Sequence, residues 1–456
     1  MPDLAFTIGA FVVAILVLVA VHEFGHFWVA RRLGVKVLRF SLGFGMPLFT
    51  WRRRRDPTEY VIAAIPLGGY VKMLDEREEE VPPDEVHLAF NRQKLWKRAA
   101  IVLAGPLFNF LFAIAVYWCV LVVGETGLRP EIGSVTPDSV AAEAGFQPGD
   151  EVLAVGGRET RTWSAVWFAM LSGTLDGNDL PVRVRAADDG KLTRVLDGAR
   201  LAELDPGRGF LSQLGLESVS TPLPPVIGEV LADEPAALAG LRPGDRVLSV
   251  DGQPVADWRD LVGLVQAHPD QVLTLKLERG GDEVTVTLTP RALETEDGRT
   301  VGRIGAGVQP PPAAETDENE VTVRYGPAAG LFESARRVGD VSVLTLRIIG
   351  RMLVGRASVE NISSPIGIAD TAGKTASFGV QAFVKFLALL SVSLGLLNLL
   401  PIPILDGGHL LYFAYEGIAG KPLSEAVQAQ GQRIGLALIL SLMTLAFYVD
   451  IARLLG

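Results

Sequence analysis

Residues 5–30 read A-F-T-I-G-A-F-V-V-A-I-L-V-L-V-A-V-H-E-F-G-H-F-W-V-A, an apolar stretch whose ionisable side chains are His22, Glu23 and His26. A helix needs about 20 apolar residues to cross the roughly 30 Å hydrocarbon core of a bilayer, so this stretch predicts a transmembrane helix. It lacks the basic start and small-residue cleavage site of a signal peptide, and we expect it to be retained. Ionisable groups inside a span are costly, which indicates a functional site.

The motif His22-Glu23-Phe24-Gly25-His26 has the pattern H-E-x-x-H. Residues four apart lie on one face of a helix, so both imidazoles can bind one zinc ion. Bound zinc lowers the pKa of a water molecule toward about 7. Glu23, next to the first ligand, can accept the proton of that water and deliver it to the leaving amine. The motif therefore predicts a zinc-dependent hydrolase with Glu23 as its base.

A second apolar segment supplies a candidate third ligand, because catalytic zinc usually has three protein ligands and an open position. Residues 380–400 are apolar, and residues 398–409 read N-L-L-P-I-P-I-L-D-G-G-H, in which Pro401 and Pro403 break the helix. Asp406 follows on this irregular stretch, and we predict it as the third ligand. The alternative is that Asp406 caps the next helix. His409 is left out, because a fourth ligand would make the site structural.

Residues 99–123 and 434–451 complete a set of four predicted spans. Basic residues concentrate between the first two spans, at Arg31, Arg32, Lys36, Arg39, 52–55, Lys94, Lys97 and Arg98. By the positive-inside rule this connection is cytoplasmic, so both termini and residues 124–379 are expected outside and the zinc site near the cytoplasmic face. The net charge of −10 argues against a nucleic-acid partner.

The middle region contains an internal duplication. Residues 144–150, A-G-F-Q-P-G-D, match residues 239–245, A-G-L-R-P-G-D, at an offset of 95 (239 minus 144). Each unit alternates apolar and polar residues, as half-buried strands do. The repeated pattern resembles a circularly permuted PDZ domain, in which the peptide-binding loop comes late, at Gly215 and Gly305. Such domains can bind extended peptides; the alternative is that they are rigid spacers or size filters.

The two motifs around His22 and Asp406 resemble the signature motifs of the site-2 protease family, and the resemblance covers nearly the whole chain. It implies an integral protein of the bacterial inner membrane with a zinc cofactor. It implies His22, His26 and Asp406 as ligands, Glu23 as the base and Asn398 as a residue contacting the substrate backbone or the oxyanion. From the residue alone, Asn398 is an amide in an apolar helix, which more often bonds to a neighbouring helix.

The resemblance also implies the substrates. They are single-span membrane proteins already shortened outside by another protease, such as an anti-sigma factor, with remnant signal peptides as a second class. The alternative function is a membrane-anchored PDZ scaffold with a vestigial zinc site. The intact H-E-x-x-H motif and Asp406 argue against the scaffold.

Smaller features complete the predicted architecture. Residues 43–47 and 60–72 resemble a membrane-dipping hairpin and strand near the zinc, whereas the residues alone also fit an ordinary β-hairpin. Residues 310–320 are predicted as a linker, and residues 328–354 as an amphipathic helix, lying on the membrane or packing on the second PDZ-like domain.

The fold class is thus a multi-domain membrane protein with an α-helical core of four spans and two tandem β-rich PDZ-like domains. The predicted boundaries are 1–123 for two spans and the hairpin region, 124–220 and 221–312 for the PDZ-like domains, 313–377 for linker and amphipathic helix, and 378–456 for the last two spans.

Overall fold

The computed structural model describes residues 3–455 except 55, 57, 176, 187, 205–208, 220–221, 295–299, 310–318 and 356–363. Arg55 and residues 310–318 of the predicted linker therefore lie outside the described residues. The α-helices are α1 (Leu4–Arg32), α2 (Leu95–Val123), α3 (Val140–Glu143), α4 (Trp163–Thr174), α5 (Gly198–Ala202), α6 (Phe210–Leu214), α7 (Pro235–Leu238), α8 (Trp258–Gln266), α9 (Pro327–Leu353), α10 (Pro365–Ser377), α11 (Val380–Asn398), α12 (Asp406–Ala419) and α13 (Glu425–Leu455).

The strands fall into a pair near the first span, a pair at the C-terminal end of the second span, and two sets in the middle region. They are β1 (Val37–Arg52), β2 (Glu59–Met73), β3 (Glu125–Leu128), β4 (Ile132–Val135), β5 (Glu151–Val155), β6 (Arg158–Glu159), β7 (Leu180–Arg185), β8 (Lys191–Leu196), β9 (Leu216–Ser218), β10 (Ile227–Val230), β11 (Arg246–Val250), β12 (Gln253–Pro254), β13 (Leu273–Arg279), β14 (Asp282–Leu288), β15 (Arg291–Glu294), β16 (Thr300–Arg303), β17 (Ala306–Val308) and β18 (Glu320–Val323).

Among the described residues, α1, α2, α11 and α13 are long and apolar enough to cross a membrane, in agreement with the four predicted spans. Small residues bring α1 and α2 into close contact: a Cβ added at Gly25 would lie 2.8 Å from the carbonyl carbon of Ala104. Gly395 of α11 also lies close to α2, where a Cβ would lie 3.1 Å from the carbonyl oxygen of Pro106. Lipid offers little hydrophobic drive for helix association, so such small-residue contacts let the spans pack.

The hairpin region is a small sheet made from two bent strands. Residues 59–62 pair with residues 39–42 on one side and with residues 49–52 on the other. Residues 69–73 pair with residues 37–42 and form an edge, with no second partner strand among the described residues. The bend exposes large apolar side chains, which are Phe44, Met46, Leu48, Phe49 and Ile65.

The middle region folds into two domains of the same topology, as the duplication predicts. Each has a four-stranded antiparallel sheet, ordered β6-β5-β7-β8 in the first domain and β12-β11-β13-β14 in the second, with one main helix, α4 or α8. The late strand β9 or β17 pairs with the first strand of its domain, β4 or β10. Gly215 and Gly305 precede these late strands with φ of +89° and +71°, a backbone that favours glycine. The fold class is therefore a helical membrane core with two PDZ-like domains.

The two domains are inserted between the strands of one short pair. β3 follows α2 directly and pairs antiparallel with β18, which precedes α9. The register places Leu128 opposite Glu320, and the backbone N–H of Arg129 donates to the carbonyl of Asn319 at 2.7 Å. The chain therefore leaves the membrane core and returns to it at one place.

Helix α9 confirms the predicted helix at residues 328–354. That it lies on the membrane stays a prediction, and its contacts are with the first PDZ-like domain and the spans. Leu344 belongs to the core of the first PDZ-like domain, and Asp340 pairs with Arg158 of that domain at 2.6 Å. Val338 packs with residues of α2 and α11. The predicted alternative, packing on the second domain, is wrong, because α9 joins the first domain to the spans.

Helix α10 was not predicted. It begins beside the last span, where the buried carboxylate of Asp450 accepts hydrogen bonds from the backbone N–H groups of Ser364 at 2.7 Å and Gly367 at 3.0 Å. It then packs along α1, where a Cβ on Gly373 would lie 3.0 Å from Cβ of Thr7. A carboxylate at a helix N-terminus satisfies N–H groups that have no partner within the helix.

Candidate metal centre

Three side chains from distant parts of the sequence meet near one end of the spans. Nε2 of His22 lies 3.3 Å from Nε2 of His26, and Oδ2 of Asp406 lies 3.2 Å from the first nitrogen and 3.5 Å from the second. Tetrahedral zinc, with its ligands at about 2.0–2.1 Å, needs ligand atoms about 3.4 Å apart. The spacing of the three donor atoms therefore fits a zinc ion.

The donor oxygen of Asp406 supports the same fit. Oδ2 is buried, and it accepts no hydrogen bond of regular geometry from a described residue. Buried polar atoms in native structures are nearly always paired, and an exception calls for an explanation such as an ion. A zinc ion held with two imidazoles would pair this oxygen.

Helix α1 places the two histidines, and Gly105 of α2 makes room for them. His22 and His26 are four residues apart, so their rings project from one face of α1. A Cβ on Gly105 would lie 2.6 Å from Cε1 of His26 and 2.8 Å from Cε1 of His22. Any larger residue at this position would displace the rings.

Asp406 reaches the site from a break between helices. Helix α11 ends at Asn398, and α12 begins at Asp406, with Leu405 in the N-cap position. The alternative that Asp406 caps this helix is therefore wrong, because it is the first helical residue and its carboxylate faces the histidines. Gly407 packs against the end of α11, where a Cβ would lie 2.5 Å from the carbonyl carbon of Leu399.

Glu23 lies beside the three donors and beside the hairpin region. Its side chain is 9% exposed, and Gly69 of β2 packs against it, so that a Cβ there would lie 3.0 Å from Cγ of Glu23. The hairpin region is thus part of the site, which the residues alone had left undecided. Glu23 and the donors share a cavity of about 940 Å³ with the β2 segment 68–73 and with Asn398.

Further polar residues line the cavity or contact the three donors. Asn398 lines the cavity at the end of α11, and its contact with a substrate stays a prediction. His409 also lines the cavity but packs edge-on against Tyr412 and is not one of the three converging donors. Sequence reasoning missed the contacts of Ile101 and Asn109 with the histidines and the ion pair of Arg98 with Glu416. The sequence held a signal for Asn109, a polar amide within an apolar span, but none for its partner.

Four spans, an H-E-x-x-H motif on the first and a carboxylate donor after the third define a membrane-embedded metalloprotease. The family model described as peptidase family M50 matches residues 10–442. The regulator of sigma-E protease RseP of Salmonella typhimurium is 44% identical over 455 residues, which cover 100% of both chains. RseP of Escherichia coli K12 is 43% identical over 448 residues, which cover 98% of each chain. This chain belongs to peptidase family M50 and is a zinc metalloprotease of the site-2 type.

Among solved structures, the PDZ domain of the SdrC-like protein from Listeria monocytogenes is similar to this chain at 19% identity. The match covers 20% of this chain and 93% of that chain, with a TM-score of 0.17.

Proposed function

We propose that this protein cleaves single-span membrane proteins inside or beside the bilayer, with a zinc ion held by His22, His26 and Asp406. The observation that carries the proposal is the convergence of three donor atoms, 3.2–3.5 Å apart, between apolar helices. Charged and polar groups at such a depth are costly and are retained for function.

The chain's own residues have distinct roles in this reaction. Zinc, when bound, supplies a Lewis acid that makes a water more acidic and polarises the scissile carbonyl. Glu23 accepts the proton of the attacking water and returns it to the leaving amine. Its carboxylate can do so because it lies next to the proposed ligands. Asn398 donates its amide N–H to the substrate backbone or the developing oxyanion, because it lines the same cavity from the end of α11.

A helical substrate hides its amide groups, so it must be extended before attack. The edge segment 69–73 of β2 has one partner strand within the described part of the chain, and it lies along the cavity beside Glu23. A substrate strand added to this edge would present its peptide bond to the site. Such pairing uses backbone groups, so it would depend little on the side chains of the substrate.

The orientation proposed here follows from the basic residues between the first two spans. It places the metal centre near the cytoplasmic face and both PDZ-like domains in the periplasm. These domains cannot contribute groups to the chemistry from there. We propose that they select substrates, either as a size filter over the spans or by binding an extended peptide.

The relatives are named for regulation of sigma-E. On this ground the proposed substrate is an anti-sigma factor whose periplasmic part another protease has already removed. Remnant signal peptides form a second proposed class, because they too are single apolar helices with short tails.

Substitution of Glu23 by glutamine tests the proposal, because the amide keeps the shape but cannot accept the proton of the water. Mass spectrometry would compare membrane fragments from cells that carry wild-type protein, Glu23→Gln or the exposed control Glu278→Gln. We expect wild-type and control cells to contain the same cleavage fragments and Glu23→Gln cells to lack them. Full complementation of a deletion strain by Glu23→Gln would favour the scaffold function instead.

A further inference from the structure

Helix α2 meets each of the two histidines with one polar group. The carbonyl oxygen of Ile101 lies 2.8 Å from Nδ1 of His26, and the side-chain amide of Asn109 lies 3.1 Å from Nδ1 of His22. We propose that Asn109 is a positioning residue, which accepts a hydrogen bond from Nδ1–H of His22 and directs Nε2 of that ring toward the metal. The inference rests on the proposed ligand role of His22.

The protonation pattern of His22 decides which amide atom faces it. A histidine that binds a metal through Nε2 carries its proton on Nδ1, and that N–H needs an acceptor. Nδ2 of Asn109 faces Nδ1 in the structure, while Oδ1 is buried without a hydrogen-bond partner among the described residues. The two ends of an amide are assigned from the hydrogen-bond network. Rotating the amide by 180° replaces a donor facing a donor with an Nδ1–H···Oδ1 hydrogen bond.

Asn109 is one of three residues on the same face of α2 that contact the two histidine rings. Ile101, Gly105 and Asn109 are four residues apart, so they follow one face of the helix at steps of about 6 Å. Gly105, in the middle, leaves the space that the two imidazole rings occupy. The outer positions then each meet the Nδ1 atom of one ring. One helix face thus sets the orientation of both histidines.

Asn109 is itself held rigidly from a third helix. It is 0% exposed, and its backbone carbonyl accepts a hydrogen bond of 2.9 Å from Oγ of Ser391 on α11. Gly395, one turn further along α11, packs against it, where a Cβ would lie 3.2 Å from Cβ of Asn109. A group fixed in this way can restrict the rotation of the His22 ring.

Zinc binding by purified full-length variants tests the inference, measured by competition with a chromophoric chelator. Loss of a hydrogen-bond partner behind a metal ligand typically costs about 10–100-fold in metal affinity. We expect a loss of this size in Asn109→Leu, which keeps a similar volume but has no polar atom. Asn109→Asp keeps the acceptor and should retain affinity within about threefold, as carboxylate–histidine–zinc arrangements do. Ser391→Ala is the matched control: it removes one hydrogen bond to the backbone of Asn109, whereas the Gly395 contact and the helical hydrogen bonds of α2 still hold that backbone, and it does not touch His22.

The visible absorption of the cobalt-substituted protein gives a second readout, since it reports ligand geometry rather than turnover. It should change in Asn109→Leu and remain as in wild type in Asn109→Asp and Ser391→Ala. The inference is overturned if Asn109→Leu binds zinc as tightly as wild type, or if folded Asn109→Asp loses affinity tenfold or more. If Asn109→Leu does not fold, the Asn109→Asp result decides alone. Failure of wild-type protein to bind zinc would instead refute the proposed function.

Discussion

The guanidinium group of Arg98, at the start of α2, lies 2.5 Å from a carboxylate oxygen of Glu416 near the end of α12. Both side chains are largely buried, and Arg98 also lies over the ring of Phe413, 5.1 Å from its centre. Helix α12 begins at Asp406, so this pair ties the helix that carries the third donor to the helix that faces the two histidines.

We predict that breaking this ion pair lowers activity by moving Asp406. Arg98→Gln and Glu416→Gln should each reduce kcat, by up to about 100-fold, since a misplacement of about 1 Å can have that effect. Reversing both charges, in Arg98→Glu/Glu416→Arg, should restore much of the loss. Cleavage of a reporter substrate by purified protein measures these rates. A double variant no better than the single ones would show that the pair does not act as a unit.

Removal of one donor should remove the metal. We predict about one zinc per chain for wild-type protein by elemental analysis, and a sharp fall in His22→Ala and Asp406→Ala, because two remaining donors do not hold zinc firmly. His409→Ala, three residues from Asp406, serves as the control and should keep its zinc. Full zinc content and full activity in Asp406→Ala would refute the ligand assignment.

The PDZ-like domains can be removed at the β3–β18 pair, and the deletion also removes the contacts that Asp340 and Leu344 of α9 make with the first domain. Deleting residues 130–318 and bridging Arg129 to Asn319 with a two-residue Asn-Gly turn converts β3 and β18 into a hairpin. We expect the shortened enzyme to cleave a pre-trimmed substrate at nearly the wild-type rate. It should also cleave an untrimmed substrate that the full-length enzyme leaves intact. Four rates, from two enzymes and two substrates, test this. If a folded, zinc-bound deletion protein fails on the short substrate, the domains present substrates rather than filter them.

Asp245 of the second PDZ-like domain should make that domain sensitive to acid. Its side chain is 1% exposed, accepts from the backbone N–H of Arg242 at 2.8 Å and pairs with Arg279 at 2.7 Å. Burial raises the pKa of this carboxyl, but the hydrogen bonds with Arg279 and the Arg242 amide outweigh burial and lower it below 3.8. A lowered folded-state pKa stabilises the domain fully above the unfolded value and loses that contribution as the pH falls through the folded value.

We therefore predict that the protection of residues 222–294 against hydrogen exchange in the full chain declines as the pH falls below about 3.8. Asp245→Asn should destabilise this domain by about 1–3 kcal/mol at neutral pH, because it leaves Arg279 without its charged partner. Asp150→Asn, at the equivalent position of the first domain, is the matched control and should affect only its own domain. Equal protection of wild type and Asp245→Asn at pH 7 would contradict the prediction.

Most of this architecture could be predicted from hydrophobic periodicity and from sequence motifs. The four spans, the duplicated domains and the candidate ligands could be predicted because each rests on residues close together or on a repeated pattern. Asp406 could be paired with His22 because both lie at the same end of spans whose direction alternates. The resemblance implied the hairpin beside Glu23, but the register of its bent sheet could not be predicted, since it depends on Gly-rich bends rather than on alternation. The contact of Asn109 with His22 and the packing of α9 on the first domain join distant residues and leave no local pattern.

The separation of the donors along the chain has a consequence for biosynthesis. His26 is made early, and Asp406 follows 380 residues later (406 minus 26). At about 5–20 residues per second, a ribosome needs about 20–80 s to cover that distance. Throughout this interval the nascent chain sits in the bilayer with two of its three donors, next to other newly inserted helices. Because the third proposed ligand is translated last, the proposed zinc site stays incomplete throughout this interval.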